Sequence, residues 1–262
     1  PYYAGSPSRE GTRGSSFIVQ NCDLIVVLGS RMNIRTITYN KHDFAKNAYK
    51  VMIDIDEQEL KKTTFVPDMP VHADVHQVIE TLLKVEYIPN KIHKPWVEWC
   101  RKMVEKYPAC LPEYHNTDKE LNPYVFVDKI FAVMAQDDIL TLGNGSACVM
   151  TFQGAKIKQG QRMFTNSGCA SMGYGLPAAL GAAVATQNKN GRVICIDGDG
   201  SLMMNVQELE TISYNKLNVK LFILNNNGYH SIRQTQRNLF KPPLIGLDPE
   251  TGVGFPTWEH LA

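Results

Sequence analysis

The sequence has no C-x-x-C pair, no histidine cluster and no cysteine spacing that fits a zinc site. Its six cysteines, Cys22, Cys100, Cys110, Cys148, Cys169 and Cys195, stand far apart. Cys195 lies inside the apolar run Val193-Ile194-Cys195-Ile196. The plain reading is buried free thiols in a reducing cytoplasm. No apolar run approaches the roughly 18 residues that a membrane span requires. No signal-peptide pattern is visible. Neither sign of charge is in excess: 27 Lys and Arg against 26 Asp and Glu leave +1. That balance argues against nucleic acid or an anionic membrane as the main partner. No G-x-G-x-x-G follows a strand, which disfavours a dehydrogenase.

What is present is an ordinary globular composition, 44% hydrophobic and 20% charged over 262 residues. Such a chain can bury a sizeable core without staples. Short apolar runs closed by Gly or Asp alternate with helix-like stretches, the pattern of an α/β fold with mainly parallel sheets. Leu24–Leu28, closed by Gly29, and Val51–Ile55 read as buried parallel strands. Glu57–Lys62 opens a short helix, and Val71–Lys84 reads as strand plus helix. Pro1–Ser16 carries no helix or strand signal. These features define a Rossmann-like domain over residues 1–85.

Residues 86–120 carry Pro89, Pro95, Pro108 and Pro112 around one amphipathic helix near Trp96–Tyr107, and read as a linker. A second α/β domain is expected over 121–262. Its helix covers Tyr124–Ala135, its first strand Asp138–Leu142, and a loop follows at Gly143–Ser146. A glycine-rich segment, Gly168–Gly181, leads into a helix. The strand Arg192–Ile196, the helix Met203–Tyr214 and the strand Val219–Leu224 make one βαβ unit. Phe255–Ala262 looks like the start of another helix. Both domains look incomplete, and the chain reads as an internal piece of a longer protein.

The strongest chemical signal is Gly198-Asp199-Gly200-Ser201, with Asn225-Asn226 at the end of the next strand. A buried strand delivers Asp199 to its carboxyl end, where open α/β sheets bind ligands. Glycine lets a backbone approach a ligand closely, and N–H groups at a helix start suit a phosphate. One carboxylate, one amide oxygen and a loop carbonyl are hard oxygen donors of the kind Mg²⁺ takes. Alone, Gly-Asp-Gly is a common turn and Asn-Asn a common loop; their joint position is the specific part.

Residues 191–237 resemble the thiamine diphosphate-binding signature of the decarboxylase and acetolactate synthase superfamily. The likeness to the acetolactate synthase large-subunit branch runs over almost the whole chain. Gln20-Asn21-Cys22-Asp23, with the strand and Gly29-Ser30-Arg31 after it, resembles that branch's central domain. Met172-Gly173-Tyr174-Gly175-Leu176-Pro177 resembles its glycine-rich segment, and Met204-Asn205-Val206-Gln207-Glu208-Leu209 the helix after its metal aspartate.

The resemblance implies an enzyme with thiamine diphosphate and Mg²⁺ as cofactors. Asp199, Asn226 and the carbonyl of Gly228 are then the metal ligands. Gly200 and Ser201 are the diphosphate N–H donors after Gly198, with Asn144 and Gly145 as a second contact. Met172 is the residue under the thiazolium, a plain core methionine being the blander reading. The backbone near Ala170 holds the pyrimidine. In the central domain, Arg31, Arg35, Asp54 and Asp74 match positions near FAD in acetolactate synthases. Related branches keep that domain without flavin, and the plainer reading is surface arginines and turn-capping aspartates.

The implied chemistry is 2-keto acid decarboxylation followed by carboligation, with pyruvate as donor and a small keto acid as substrate. Simple 2-keto acid or acyl-CoA decarboxylation, or a non-catalytic subunit that needs a partner, are the alternatives. The family's cofactor lies between subunits, so a homo-oligomer is implied for the intact protein.

Two departures qualify this. Where the branch carries Gly-Met-Val-x-Gln-Trp-Gln, this chain has His230-Ser231-Ile232-Arg233-Gln234-Thr235-Gln236. The smaller, polar Ser231 and Thr235 suggest a different or larger acceptor. His230 is a candidate proton donor there, or a solvated loop histidine. The family's activating glutamate belongs to another domain, for which Glu208 and Glu210 are no substitutes. The chain by itself is therefore expected to be catalytically inert.

Overall fold

The computed structural model describes residues 2–88, 90–116, 120–186 and 191–261. Pro1, the linker's Pro89 and the terminal Ala262 lie outside the described residues. The chain forms two compact units, Pro1–Leu111 and Pro112–Ala262. Both are α/β with wholly parallel sheets.

In the first unit the order is α1 (Arg13–Asn21), β1 (Leu24–Leu28), α2 (Ile34–Ile37), β2 (Tyr49–Asp54), α3 (Glu57–Leu60), β3 (Met69–His72), α4 (Val75–Leu83) and α5 (His93–Lys106). The strands lie side by side as β1-β2-β3, with Val26 opposite Val51 and Met52 opposite Pro70. Pro70 is accommodated because β3 is an edge strand. Val27 and Met52 pack with Ile37, Phe44, Leu60 and Phe65 into the core.

Three readings of this unit change. Leu24–Leu28 is not buried on both faces: Leu24, Val26 and Leu28 are exposed while Val27 is buried. β1 is an edge strand whose core lies on one side only. Helix α1 starts inside the segment that carried no signal. Its Arg-Gly-Ser-Ser opening is a poor helix former, and two other factors hold it. The Thr12 side chain caps it by accepting from the Ser15 N–H. Gly14 lies so close to the α5 backbone that a β-carbon there would stand 2.7 Å from the Met103 carbonyl oxygen. Helix α5, within the stretch read as linker, thus packs on α1 inside the first unit.

The second unit runs α6 (Pro123–Val133), β4 (Ile139–Leu142), α7 (Ser146–Gly154), β5 (Arg162–Phe164), α8 (Gly175–Ala185), β6 (Val193–Gly198), α9 (Asp199–Leu202), α10 (Glu208–Tyr214), β7 (Val219–Leu224) and α11 (His230–Leu239). The sheet order is β5-β4-β6-β7. Central strands of such a sheet are covered on both faces and read as continuous apolar runs. Leu140, Leu142, Ile194 and Ile196 point to one side and pack with Val127, Ile130 and Phe131 of α6 and Ala147 of α7. Ile139, Val193 and Cys195 point to the other and pack on Ala179 and Ala183 of α8.

The expected helix Met203–Tyr214 is a 3-10 turn at Met203–Asn205 followed by α10, with the short α9 before them. The expected terminal helix is a 3-10 turn at Trp258–His260. Helices α7 and α11 and strand β5 are additions to the sequence reading. Helix α7 is apolar on most sides and lacks a 3.6-residue stripe, whereas α11 does carry an amphipathic stripe on a mostly polar sequence. Among the described residues no cysteine is in a disulfide, and only Cys148 and Cys195 are buried. Cys169 is exposed because it lies in the turn before α8 rather than in an element.

Candidate functional site

Leu142 pairs with Ile196, and Gly198 with Leu224, so β4, β6 and β7 end along one edge of the sheet. The loops that follow these three strands meet there in an open cleft of about 500 Å³. Asn144, Gly145, Met172, Gly198, Asp199, Gly200, Ser201, Asn226 and Gly228 all line it. Ala170 is not in the lining; its carbonyl accepts from Asn144 Nδ2 at 3.2 Å. His230 lines the cleft with Ser231 and Ile232.

Asp199 is the structural centre. It is 1% exposed. Its Oδ1 accepts from the Gly200 N–H at 2.8 Å. Its Oδ2 accepts from the N–H groups of Gly228 at 2.9 Å and Asn226 at 3.2 Å. A carboxylate offers about four lone-pair sites. Three are used, and the one that remains is on Oδ1. The Gly200 N–H, expected to serve a diphosphate, here serves the carboxylate.

Three helices begin at this cleft: α7 at Ser146, α9 at Asp199 and α11 at His230. No side chain caps any of them. Elsewhere, side chains cap α1, α4 and α6. Uncapped helix starts present N–H groups and the positive end of the helix dipole. Gly145 precedes α7 at φ +60° and ψ −131°, a conformation open essentially to glycine. Gly228 sits at φ +145° and is buried, and its carbonyl accepts from the His230 N–H at 3.1 Å.

Met172 is brought to the cleft by its neighbour. The Gly173 N–H donates to Ser201 Oγ at 3.0 Å, and the Gly173 carbonyl accepts from Asn205 Nδ2 at 2.7 Å. The glycine-rich segment is thereby tied to α9.

Sequence reasoning missed Asp197. It is fully buried at the end of β6, beneath the cleft. A β-carbon on Gly143 would overlap its carboxyl, and one on Gly175 would stand 2.5 Å from Oδ2. Oδ1 accepts from the Gly198 N–H at 2.8 Å, and Oδ2 has no partner among the described residues. Burial pushes its pKa up to about 6, against hydrogen bonds from Ser201 and the Gly198 N–H that act the other way. An acid closing an apolar strand was the available signal. Tyr229 was also missed. Its ring lies against Gly200, where a β-carbon would collide with it.

The four residues matched to a flavin lie after the carboxyl ends of β1, β2 and β3, each with an internal partner. Arg31 pairs with Glu59 at 3.2 Å, and Arg35 pairs with Glu10. Asp54 accepts from the Asp56 N–H at 2.9 Å, and Asp74 caps α4 by accepting from the His76 N–H at 2.7 Å. The flavin reading therefore rests on the resemblance alone. Glu208 and Glu210 stand on α10 and do not line the cleft.

The site defines a class: an α/β sheet whose carboxyl edge gathers one buried carboxylate, amide and carbonyl oxygens and bare helix starts. Residues 143–254 match the thiamine pyrophosphate enzyme C-terminal TPP binding domain, and residues 1–82 match the thiamine pyrophosphate enzyme central domain. The chain belongs to the thiamine pyrophosphate enzyme family. It is 34% identical over 245 residues to the acetolactate synthase large subunit of Cyanidium caldarium, covering 92% of this chain and 40% of that protein. It is 34% identical over 243 residues to the acetolactate synthase isozyme 1 large subunit of Escherichia coli strain K12, covering 92% and 41%. The chain thus spans about 40% of the length of the curated relatives it matches. Among the described residues no helix is long and apolar enough to cross a membrane.

Proposed function

We propose that the second unit is the diphosphate- and metal-holding part of a thiamine diphosphate-dependent enzyme. The reaction is decarboxylation of a 2-keto acid, with pyruvate as donor, and ligation of the remaining fragment to a second carbonyl. One observation carries this reading: three uncapped helix starts and a buried carboxylate with one lone pair to spare share a single cleft. The former suit a diphosphate and the latter a hard cation. The named activity of the relatives supports the same chemistry.

On this reading Asp199, the Asn226 side chain and the Gly228 carbonyl hold Mg²⁺. N–H groups at the starts of α7 and α11 face the diphosphate, and Met172 flanks the ring. When bound, the cofactor supplies a nucleophilic carbon and a place for the electrons that decarboxylation leaves behind. The chain's share is to neutralise the diphosphate and orient the cofactor. No glutamate lines the cleft. The group that activates the cofactor therefore comes from outside this unit, within a homo-oligomer of the whole protein. That no disulfide forms among the described residues fits a reducing compartment.

Calorimetric titration with thiamine diphosphate, with and without Mg²⁺, tests this. Binding is expected only with Mg²⁺, and Asp199→Asn is expected to weaken it by about 100-fold, within the range that loss of a charged partner produces. Equal binding without metal, or by the variant, overturns the reading. Product analysis of the whole protein with pyruvate and a second keto acid decides the reaction type. A ligated hydroxy-keto acid is expected; a simple aldehyde as sole product replaces carboligation by plain decarboxylation.

A further inference from the structure

In the loop from Asn226 to Tyr229, Asp199 accepts from the N–H groups of Asn226 and Gly228, while the Asn226 and Asn227 carbonyls are held by another side chain. Arg233, on the second turn of α11, reaches back over the helix start. Its Nη2 donates to the Asn227 carbonyl at 3.0 Å, and its Nη1 lies 3.5 Å from the Asn226 carbonyl. The same Nη2 is 3.2 Å from Asp248 Oδ2, and the two side chains are only 16% and 18% exposed.

Asp248 is itself fixed. Its Oδ1 accepts from the Thr251 hydroxyl at 2.8 Å and from the Thr251 N–H at 3.1 Å, a capping box on the turn Pro249–Thr251. Next to it, the Leu247 carbonyl accepts from the Tyr229 N–H at 2.8 Å. A β-carbon on Gly228 would collide with that carbonyl and stand 2.6 Å from Arg233 Nη2. The loop is thus enclosed between Asp199 on one side and Arg233, Asp248 and Leu247 on the other.

The placement is unfavourable for the helix alone. A cation beside a helix start opposes the dipole. Arg233 Nε is also buried with no partner among the described residues. The carbonyl bonds and the Asp248 pair are what hold it there, and both act on the loop.

We propose that Arg233 is a positioning residue for the metal loop. Its planar fork, anchored on Asp248, fixes the Asn226 and Asn227 carbonyls and so sets the backbone that presents the Asn226 side chain and the Gly228 carbonyl to the cleft. The inference rests on the metal reading of those two residues given above. Arginine is required because only a planar fork reaches two carbonyls and a carboxylate together; a lysine is a point charge.

The test uses the full chain and its Arg233→Met, Arg233→Lys and Asp248→Asn variants. Amide hydrogen exchange is measured without metal, and Mn²⁺ affinity with excess thiamine diphosphate. In Arg233→Met, exchange at Asn226 and Gly228 is expected to quicken while β4 and β6 stay protected. Mn²⁺ affinity is expected to fall by about 10-fold, as for residues that orient metal ligands. Arg233→Lys and Asp248→Asn are expected to fall between wild type and Arg233→Met. If Arg233→Met exchanges fast everywhere, Arg233→Lys and Asp248→Asn carry the comparison. Wild-type exchange and Mn²⁺ affinity in the folded variants overturn the proposal while leaving the metal reading intact. Failure of the wild-type chain to take up Mn²⁺ overturns the metal reading, and the proposal with it.

Discussion

The two ends of the second sheet treat buried acid in opposite ways. At the amino end, Asp138 precedes β4 and is 1% exposed. Burial pushes its pKa up, but the Arg192 guanidinium and the N–H groups of Ala135 and Arg192 outweigh that and hold the carboxyl below the ordinary range. Arg192 Nη2 lies 2.6 Å from Oδ2 and its Nε 3.1 Å from Oδ1. At the carboxyl end, Asp197 and Asp199 are equally buried and have no cation in their hydrogen-bond set. The amino end is electrostatically complete and joins two strand starts. The carboxyl end keeps a lone pair on Asp199 and three helix starts without a side-chain cap. The amino end is satisfied by groups of the fold itself, and the carboxyl end is where the proposed ligand would be met.

The largest expected effect comes from making the amino end incomplete. Arg192→Met leaves Asp138 buried beside backbone N–H groups alone, and is expected to cost about 3 kcal/mol in urea unfolding at pH 7. Mn²⁺ affinity should not change. The pH dependence has a definite sign. The folded-state pKa of Asp138 is depressed, so its contribution is present above the ordinary carboxylate range and is lost as pH falls through the depressed value. The acid limb of the stability curve should therefore shrink in Arg192→Met. An unchanged limb would remove Asp138 from its assigned role.

A smaller effect comes from making the carboxyl end neutral. Asp197 is raised to about 6 from 3.8. The folded state then binds the proton more tightly, so wild type gains stability as pH falls from above 6 towards 4. Asp197→Asn should be more stable than wild type by about 1–2 kcal/mol above pH 7, part of what two pK units represent, with the new amide donors offsetting the rest. The difference should fall through zero and reverse sign towards pH 4, where Asp197 is protonated in the folded state. A difference that does not move with pH would place the effect in packing.

The strands were largely legible because β4, β6 and β7 are apolar runs closed by Gly, Asp or Asn. The residues proposed to hold metal and diphosphate could be picked out together because Asp199 and Asn226 follow two such runs, and the fold gathers them in one cleft. Asp197 and Arg233 were not, since their meaning depends on Gly143, Gly175 and Asp248, which only the fold brings near. The half-exposed β1 was misread because Leu24–Leu28 has the composition of a central strand and the position of an edge. Helix α1 was hidden because its support is the close approach of Gly14 to α5, not its own propensity.

The most direct measurement is diffraction from crystals of the chain grown with Mn²⁺ and thiamine diphosphate, using the anomalous signal of manganese. The account predicts one strong peak at the carboxyl edge, bonded to Asp199 Oδ1, the Asn226 amide oxygen and the Gly228 carbonyl, with the diphosphate at the starts of α7 and α11. A manganese peak elsewhere, or a cofactor bound away from this cleft, would contradict it.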